Sequence, residues 1–250
     1  MQGDLTVQAP VDGKITFDAL VSRIDEMLAA NGVTARDGAA SQITPEPIVI
    51  VDPVLPLDAL LKGEGGSAVV DFTVSESGSV NNIRVREATH PEFGDALAAA
   101  LETWGFARPV ENDQALSVQL TKRAEFAAVP LDVEAEGVDS QIRLVRALRA
   151  GSITGAKGLD EKLAPLYQVR PEYPQALKAT GGPAGRAELE FIIDRDGRVR
   201  LPRVLSASHP EFGWSAATAV SQWIFHAPRK AGEPVDIKVK MPIRFAAIQN

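Results

Sequence analysis

Thr89-His-Pro-Glu-Phe-Gly94 recurs 119 residues later as Ser208-His-Pro-Glu-Phe-Gly213. The match runs on without a gap. Trp104-Gly-Phe106 aligns with Trp223-Ile-Phe225, Pro109 with Pro228, and Phe126 with Phe245. Upstream, Phe72, Gly78 and Val80 align with Phe191, Gly197 and Val199. Residues 72–126 and 191–245 share 17 identities over 55 positions. Slightly earlier, Pro53-Val-Leu-Pro56 corresponds to Pro171-Glu-Tyr-Pro174 at a shift of 118, so one residue has been gained or lost between. Two copies of so long a unit do not make a solenoid. They predict two small domains of one fold.

The second unit is the clearer one. Tyr173–Lys178 reads as a short helix with Pro174 in its first turn, where a missing N–H costs nothing, and Gly181–Gly185 reads as the loop that follows. In Arg186–Ile193, Ala187, Leu189, Phe191 and Ile193 alternate with Arg186, Glu188 and Glu190, the period of a half-buried strand. Asp194-Arg-Asp-Gly197 suits a tight hairpin turn, and Arg198–Ser206 returns as a second strand. Pro202 places that strand at a sheet edge, because proline cannot donate to a ladder. Ser208 and Glu211 have capping-box spacing before a helix that runs to about Trp223. Pro234–Phe245 alternates again and forms a third strand.

Helix–strand–strand–helix–strand predicts an α+β unit, a three-stranded antiparallel sheet with two helices on one face. The first unit repeats the plan, with a turn at Glu76-Ser-Gly78, a cap at Thr89 with Glu92, and a last strand over Leu116–Phe126. The chain then divides into a small αβ segment (1–51), the first unit (52–127), a helical linker (128–167) and the second unit (168–250). The amphipathic pattern of Asp139–Ala150 supplies the linker helix, and Gly151–Gly158 reads as loop. At the front, Leu5–Ala9, Phe17–Ala30 and Ile48–Val51 read as strand, helix and strand, either a small βαββ domain or an extra layer on the first unit.

Composition excludes several functions. There are 26 Lys and Arg against 33 Asp and Glu, a net charge of −7, which argues against a nucleic-acid partner. With no cysteine there is no disulfide, Cys-type zinc site, iron–sulfur cluster or thiol nucleophile. The longest apolar runs, Ile48–Val51 and Ala96–Leu101, are far below the roughly 20 residues of a membrane-spanning helix. Met1-Gln-Gly-Asp4 has neither the basic nor the apolar region of a signal peptide. That is compatible with a cytosolic protein or with a mature form whose leader has been removed.

Pro171-x-Tyr173-Pro174, Ile193-Asp-x-Asp-Gly197-x-Val199, Ser208-x-Pro210-x-Phe212, Trp223-x-Phe225-x-x-Pro228 and Pro242-Ile-x-Phe245 together resemble the TonB C-terminal domain. The first unit resembles a diverged copy, with Leu55 in place of the Tyr and Ser77-Gly78 in place of Asp-Gly. Gly13-Lys-Ile-Thr-Phe and Leu28-Ala-Ala-Asn-Gly32 resemble the small N-terminal domains of secretins and TonB-dependent receptors. The TonB resemblance implies a periplasmic, non-enzymatic protein-binding role. Its partner would be an outer-membrane TonB-dependent transporter or another envelope protein, and an extended peptide of that partner would pair with the last strand. Neither the membrane anchor nor the Pro/Lys-rich spacer of a complete energy transducer is visible in the sequence.

That implication agrees with the physics of a three-stranded sheet, whose open edges carry unpaired N–H and C=O groups that β-augmentation uses. The partner-binding residues expected are Val235, Ile237, Lys238, Val239 and Lys240 in the second unit and Val118 and Leu120 in the first. The resemblance adds Arg170. Pro242 should shorten the second edge and leave the first the longer. The alternative is a scaffold in which the two domains pair these edges with each other or in a homodimer. His90, His209 and His226 have no partners at metal-ligand spacing. Trp104, Phe106, Trp223 and Phe225 read as core. Asp194 and Asp196 read as a hairpin turn rather than a calcium loop. Gly181–Gly185 lacks the ending of a phosphate loop. No catalytic residue, metal or cofactor is expected.

Overall fold

The computed structural model describes residues 32–39, 43–128 and 140–248. The strand expected at Leu5–Ala9 and the helix expected at Phe17–Ala30 lie outside them. Two sheets result, one per repeat. The first is built from β1 (Val33–Ala35), β3 (Gly66–Val74), β4 (Val80–Ala88) and β8 (Val118–Phe126), in the order β1-β8-β3-β4. The second is built from β9 (Thr154–Gly155), β11 (Gly185–Ile193), β12 (Val199–Ala207) and β16 (Ile237–Phe245), in the order β12-β11-β16-β9. Two helices accompany each sheet: α1 (Leu57–Lys62) and α2 (Pro91–Leu101) in the first unit, α4 (Gln175–Ala179) and α5 (Pro210–Ser221) in the second. The linker helix α3 (Ser140–Arg149) stands between the units in sequence. Short pairs complete each unit at matching places. β2 (Pro47–Val49) joins β5 (Gly105–Phe106), and β10 (Pro165–Tyr167) joins β13 (Ile224–Phe225). The hairpin β6 (Val110–Glu111) with β7 (Gln114–Ala115) matches β14 (Arg229–Lys230) with β15 (Glu233–Pro234).

The repeat holds down to the register. Val74 lies opposite Val118, and Ile193 opposite Ile237, the same pairs shifted by 119. The β3–β4 and β11–β12 ladders also slip at equivalent places. Asn82 and Leu201 mark this irregularity with φ of 53° and 50°. Asparagine tolerates that region; leucine does so only where packing holds it. Pro202 beside it sits on the edge strand, as its missing donor requires.

Both cores are aromatic. Phe93 packs on Phe126 with ring centroids 4.6 Å apart, and Phe212 on Phe245 at 4.4 Å, the rings tilted in both pairs. Each helical Phe also presses on a strand glycine: a Cβ on Gly66 or Gly185 would come 2.3 or 2.1 Å from the ring. The Trp-x-Phe pair closes the other end. Trp104 Nε1 donates to Val51 O at 2.9 Å and Trp223 Nε1 to Val169 O at 2.8 Å, so each indole buries its ring and satisfies its N–H.

The capping boxes are a correction. The N-cap residues are His90 and His209, in extended conformation, with no side-chain cap bond. Thr89 and Ser208 serve the sheet instead. Thr89 Oγ1 accepts the Ser67 N–H at 2.9 Å and Ser208 Oγ accepts the Arg186 N–H at 3.1 Å. The chain turns into the helix here, so a hydroxyl replaces the carbonyl that the ladder has lost. Pro91 and Pro210 reduce the need for a cap, because each removes a donor from the first turn.

The units pack through reciprocal contacts. α2 lies against α5. Leu57 and Leu60 of α1 bury with Ile192 and Leu201 of the second unit and Leu144 and Val145 of α3. Asp58 pairs with Arg203 at 2.8 Å. In the return contact, Gln175 donates its main-chain N–H to Glu102 Oε1 at 3.0 Å and its side-chain amide to Val80 O at 2.7 Å. Burial pushes the Glu102 carboxyl up to about 7. The Gln175 N–H and Lys178 oppose this, and Glu172 and Glu211 add to it.

Two outcomes follow from this packing. Gly197 has φ of +82°, and a Cβ there would meet Phe225 O at 2.0 Å. Gly197→Ala lowers unfolding stability by at least about 2 kcal/mol, read by urea denaturation. Glu102 holds its proton in the folded protein at pH values where the unfolded chain has released it. Stability therefore falls as pH rises from about 4.5 to about 7. In Glu102→Gln that decline is reduced, measured as midpoint against pH.

Candidate functional site

The outer strands β8 and β16 meet different fates. β8 is covered by β1, antiparallel, with Val33, Thr34 and Ala35 opposite Lys122, Thr121 and Leu120. Two further bonds extend the contact: Arg36 N–H to Gln119 O at 3.0 Å and Arg123 N–H to Gly32 O at 2.8 Å. Val33 is buried in the first core. Arg36 reaches over the strand to Gln119 Oε1 at 3.1 Å and to Asp71 at 3.5 Å. The expectation that the first unit offers the longer free edge is thereby corrected. The residues just before the repeat fill that edge, because a short apolar strand within the same chain satisfies it at little entropic cost.

β16 is covered only at its start. β9 pairs with it in parallel, Thr154 opposite Ile237 and Gly155 opposite Lys238. From Val239 to Phe245 the outer side has no strand beside it among the described residues. The two edges also do not pair with each other, since they lie in different sheets; that form of the scaffold reading is overturned.

The gap-free repeat gives the direction of the free main-chain groups. In β8, residues 119 and 123 bond outward to the covering strand, so outward groups fall on alternate residues. Their counterparts in β16 are Lys238 and Pro242, with Lys240 between and Arg244 beyond. Pro242 stands where Arg123 donates to Gly32. Its carbonyl can accept, but the donor is missing. The side chains divide by face. Val239, Met241 and Ile243 are half-buried against the second core, and Lys240, Pro242 and Arg244 are exposed.

The start of β16 is held firmly. Asp236 accepts two hydrogen bonds from the Arg143 guanidinium of α3 and the main-chain N–H of Arg195 at 3.2 Å. Burial alone would raise the Asp236 carboxyl. The Arg143 bond and charge, with Arg195, outweigh it and hold the carboxyl below its usual range. A linker-helix residue thus orients the strand whose far half is open.

The anticipated residues separate accordingly. Val239 and Lys240 lie in the open stretch. Ile237 is buried and Lys238 lies beside Gly155. Val235 precedes the strand, and its N–H is bonded to Pro228 O at 2.9 Å. Val118 and Leu120 are core residues of the first unit, and β1 covers the strand they belong to. Arg170 is exposed in the extended segment before Pro171. Sequence reasoning missed Met241, Ile243 and Arg244. The first two belong to the same alternation as Val239 and could have been included on that signal.

The family model "Gram-negative bacterial TonB protein C-terminal" matches residues 51–127 and 169–247. Together these segments make up more than half of the chain. The chain belongs to the TonB C-terminal family, in two copies. The family is known for binding outer-membrane transporters and is one of non-enzymatic energy-transducing and binding domains. TonB C-terminal domains are periplasmic. Among solved structures, the solution NMR structure of Pseudomonas aeruginosa TonB CTD is 28% identical. The match covers 36% of this chain and 92% of that one, with a TM-score of 0.32. The search of curated proteins gave no match. Among the described residues, no helix is long and apolar enough to cross a membrane.

The covering of β8 has a measurable consequence. Val33→Asp would put an unpaired carboxylate into the first core, a cost that β1 avoids by leaving the edge. Amide exchange at Arg123, whose N–H now bonds to Gly32, should then rise at least about tenfold while Phe72 on the central strand stays protected, read by hydrogen–deuterium exchange.

Proposed function

We propose that the protein is a periplasmic binding module whose second TonB C-terminal unit captures an extended peptide by strand addition at Val239–Phe245. The peptide belongs to an outer-membrane transporter or another envelope protein. The observation that carries this reading is the contrast between the two final strands: one edge is filled along its middle by a strand of the same chain, and the other has no strand beside it from Val239 to Phe245 among the described residues. β1 on β8 serves as an internal template. It runs antiparallel, places Val33 into the core, and bonds through alternate main-chain groups; of their counterparts on β16, Lys238 lies beside β9, Pro242 keeps only its carbonyl, and Lys240 between them has no strand beside it among the described residues.

The expected strength is modest. Lys240 and Arg244 each offer a donor and an acceptor, and Pro242 offers an acceptor. Five bonds at ~1 kcal/mol each give roughly 5 kcal/mol before the cost of ordering the peptide. Apolar contact with Val239, Met241 and Ile243, which are half-buried against the second core, supplies the remainder. Arg170 lies where the family resemblance places a contact to the peptide and is proposed as an accessory one.

Titration of transporter-derived peptides into the full chain, followed by NMR, should move amides of Val239–Phe245 and leave Gln119–Arg123 unmoved. Lys240→Pro removes an outward donor without removing a bond to β11, as Pro242 already does. It should keep the fold and weaken binding about tenfold. Peptide-induced shifts confined to β8, or undiminished binding by Lys240→Pro, would refute the assignment. Concentration-dependent shifts of the same amides in the free protein would mark the edge as a contact between copies instead.

A further inference from the structure

We infer that the seam between α2 and α5 is a binding site for an organic ammonium ion carried on an apolar stem. The seam holds a cavity of about 460 Å³, a size that suits a small molecule. Both units build it. Asp95 and Ala99 come from α2, Glu102 from its C-terminal end, Ile83 from β4, and Glu211 and Trp214 from α5. Three carboxylates face the cavity, and no Lys, Arg or His is among the described residues that line it. None of the lining residues belongs to β16, so this site is independent of strand addition.

The acids gathered here are not neutralised by ion pairs. Glu92, Asp95, Glu102, Glu172 and Glu211 make none within 4.0 Å among the described residues. They come from both units and act on one another. Burial raises the Asp95 carboxyl, Glu211 and Glu92 add to this, and a hydrogen bond from the Trp214 side chain opposes it. Burial likewise raises Glu102, with Glu172 and Glu211 adding to it while the Gln175 N–H and Lys178 oppose it. An entering cation relieves this repulsion. Glu211, Trp214 and Thr218 follow one another at helical spacing along one side of α5. Thr218 is fully buried, and its hydroxyl has no hydrogen-bond partner among the described residues, so packing has not satisfied every polar group on this side of the helix.

The class of cation follows from the spacing of the acids and from the walls. Among the described residues no three His, Asp or Glu side chains converge closely enough to hold a metal ion. The negative charge is therefore spread around the cavity rather than focused at one point. A calcium ion draws about six to eight oxygens close around it, which this arrangement does not offer. An alkylammonium has no such requirement. Its charge sits among the spaced carboxylates, its stem lies against Ile83 and Ala99, and the indole of Trp214 offers the attraction that aromatic rings give to cations.

The test titrates the full chain, by NMR, with n-butylammonium, n-butanol, Mg²⁺ and a capped Ala-Lys-Ala peptide. n-Butylammonium should shift the Trp214 indole and the Ala98 and Ala99 amides and bind at least about tenfold more tightly than n-butanol. Its affinity should rise as pH goes from about 6 to about 8, where Glu102 releases its proton, and should fall as salt is raised. Asp95→Asn combined with Glu211→Gln should weaken it about tenfold with an unchanged circular dichroism spectrum. If that variant does not fold, the comparison of n-butylammonium with n-butanol on the unaltered chain decides alone. A stronger response to the peptide than to n-butylammonium assigns the ammonium to a protein lysine, and a weaker one assigns it to a free amine; both uphold the class. Equal binding of n-butanol, displacement of n-butylammonium by an equal concentration of Mg²⁺, or an absence of shifts at the seam overturns the assignment.

Discussion

A small antiparallel sheet cannot satisfy the main-chain groups on its outer strands by itself. In this protein that constraint falls on β8 and β16. Each is the final strand of its repeat and each pairs along one side with a long central strand over nine residues. What lies on the other side separates the two units. A strand from the preceding segment fills the first edge with an apolar anchor at Val33. Among the described residues, the second edge receives only the two residues of β9. Among the described residues, the final strand is covered along its middle in one copy and at its start in the other.

The two final strands differ at equivalent positions. Glu125 is paired with Arg123 at 3.9 Å, and its counterpart Arg244 lies opposite Arg186. At Pro242, a missing outward donor disturbs no bond inside the sheet. It also trims the edge on which another chain could aggregate, which limits the hazard of an exposed strand.

The units do not hang as independent beads. Leu57 and Leu60 of the first unit are buried against Ile192 and Leu201 of the second, and Gln175 ties α4 to Glu102 and Val80. Leu201 adopts the same left-handed backbone as its counterpart Asn82, a conformation that asparagine tolerates and leucine does not, and burial in this contact is what holds it. The linker helix is part of the arrangement, since Arg143 fastens Asp236 at the beginning of β16. The open edge is thus presented from a braced framework, which lowers the ordering cost on the protein's side of any strand addition.

Much was legible in the residues themselves. Alternation in Arg186–Ile193 and Pro234–Phe245, the Asp-Gly turn, Pro202 at an edge and the aromatic core all act over short distances, and each places its element correctly to within a few residues. The repeat then doubled that information and gave the α+β units. Other features depended on what distant segments do. The spacing of Ser208 and Glu211 suits a cap, but a strand N–H at Arg186 competed for the hydroxyl and won. Leu120 and Val239 are equivalent in pattern, yet Leu120 belongs to a covered strand because Val33–Ala35 lies beside it. A strand shows in sequence which of its faces is buried, through the side chains that alternate along it. It does not show which of its edges is paired, because main-chain donors and acceptors are the same for nearly every residue. Fold was therefore readable from side chains, and the location of the open edge was decided only when the chain came together.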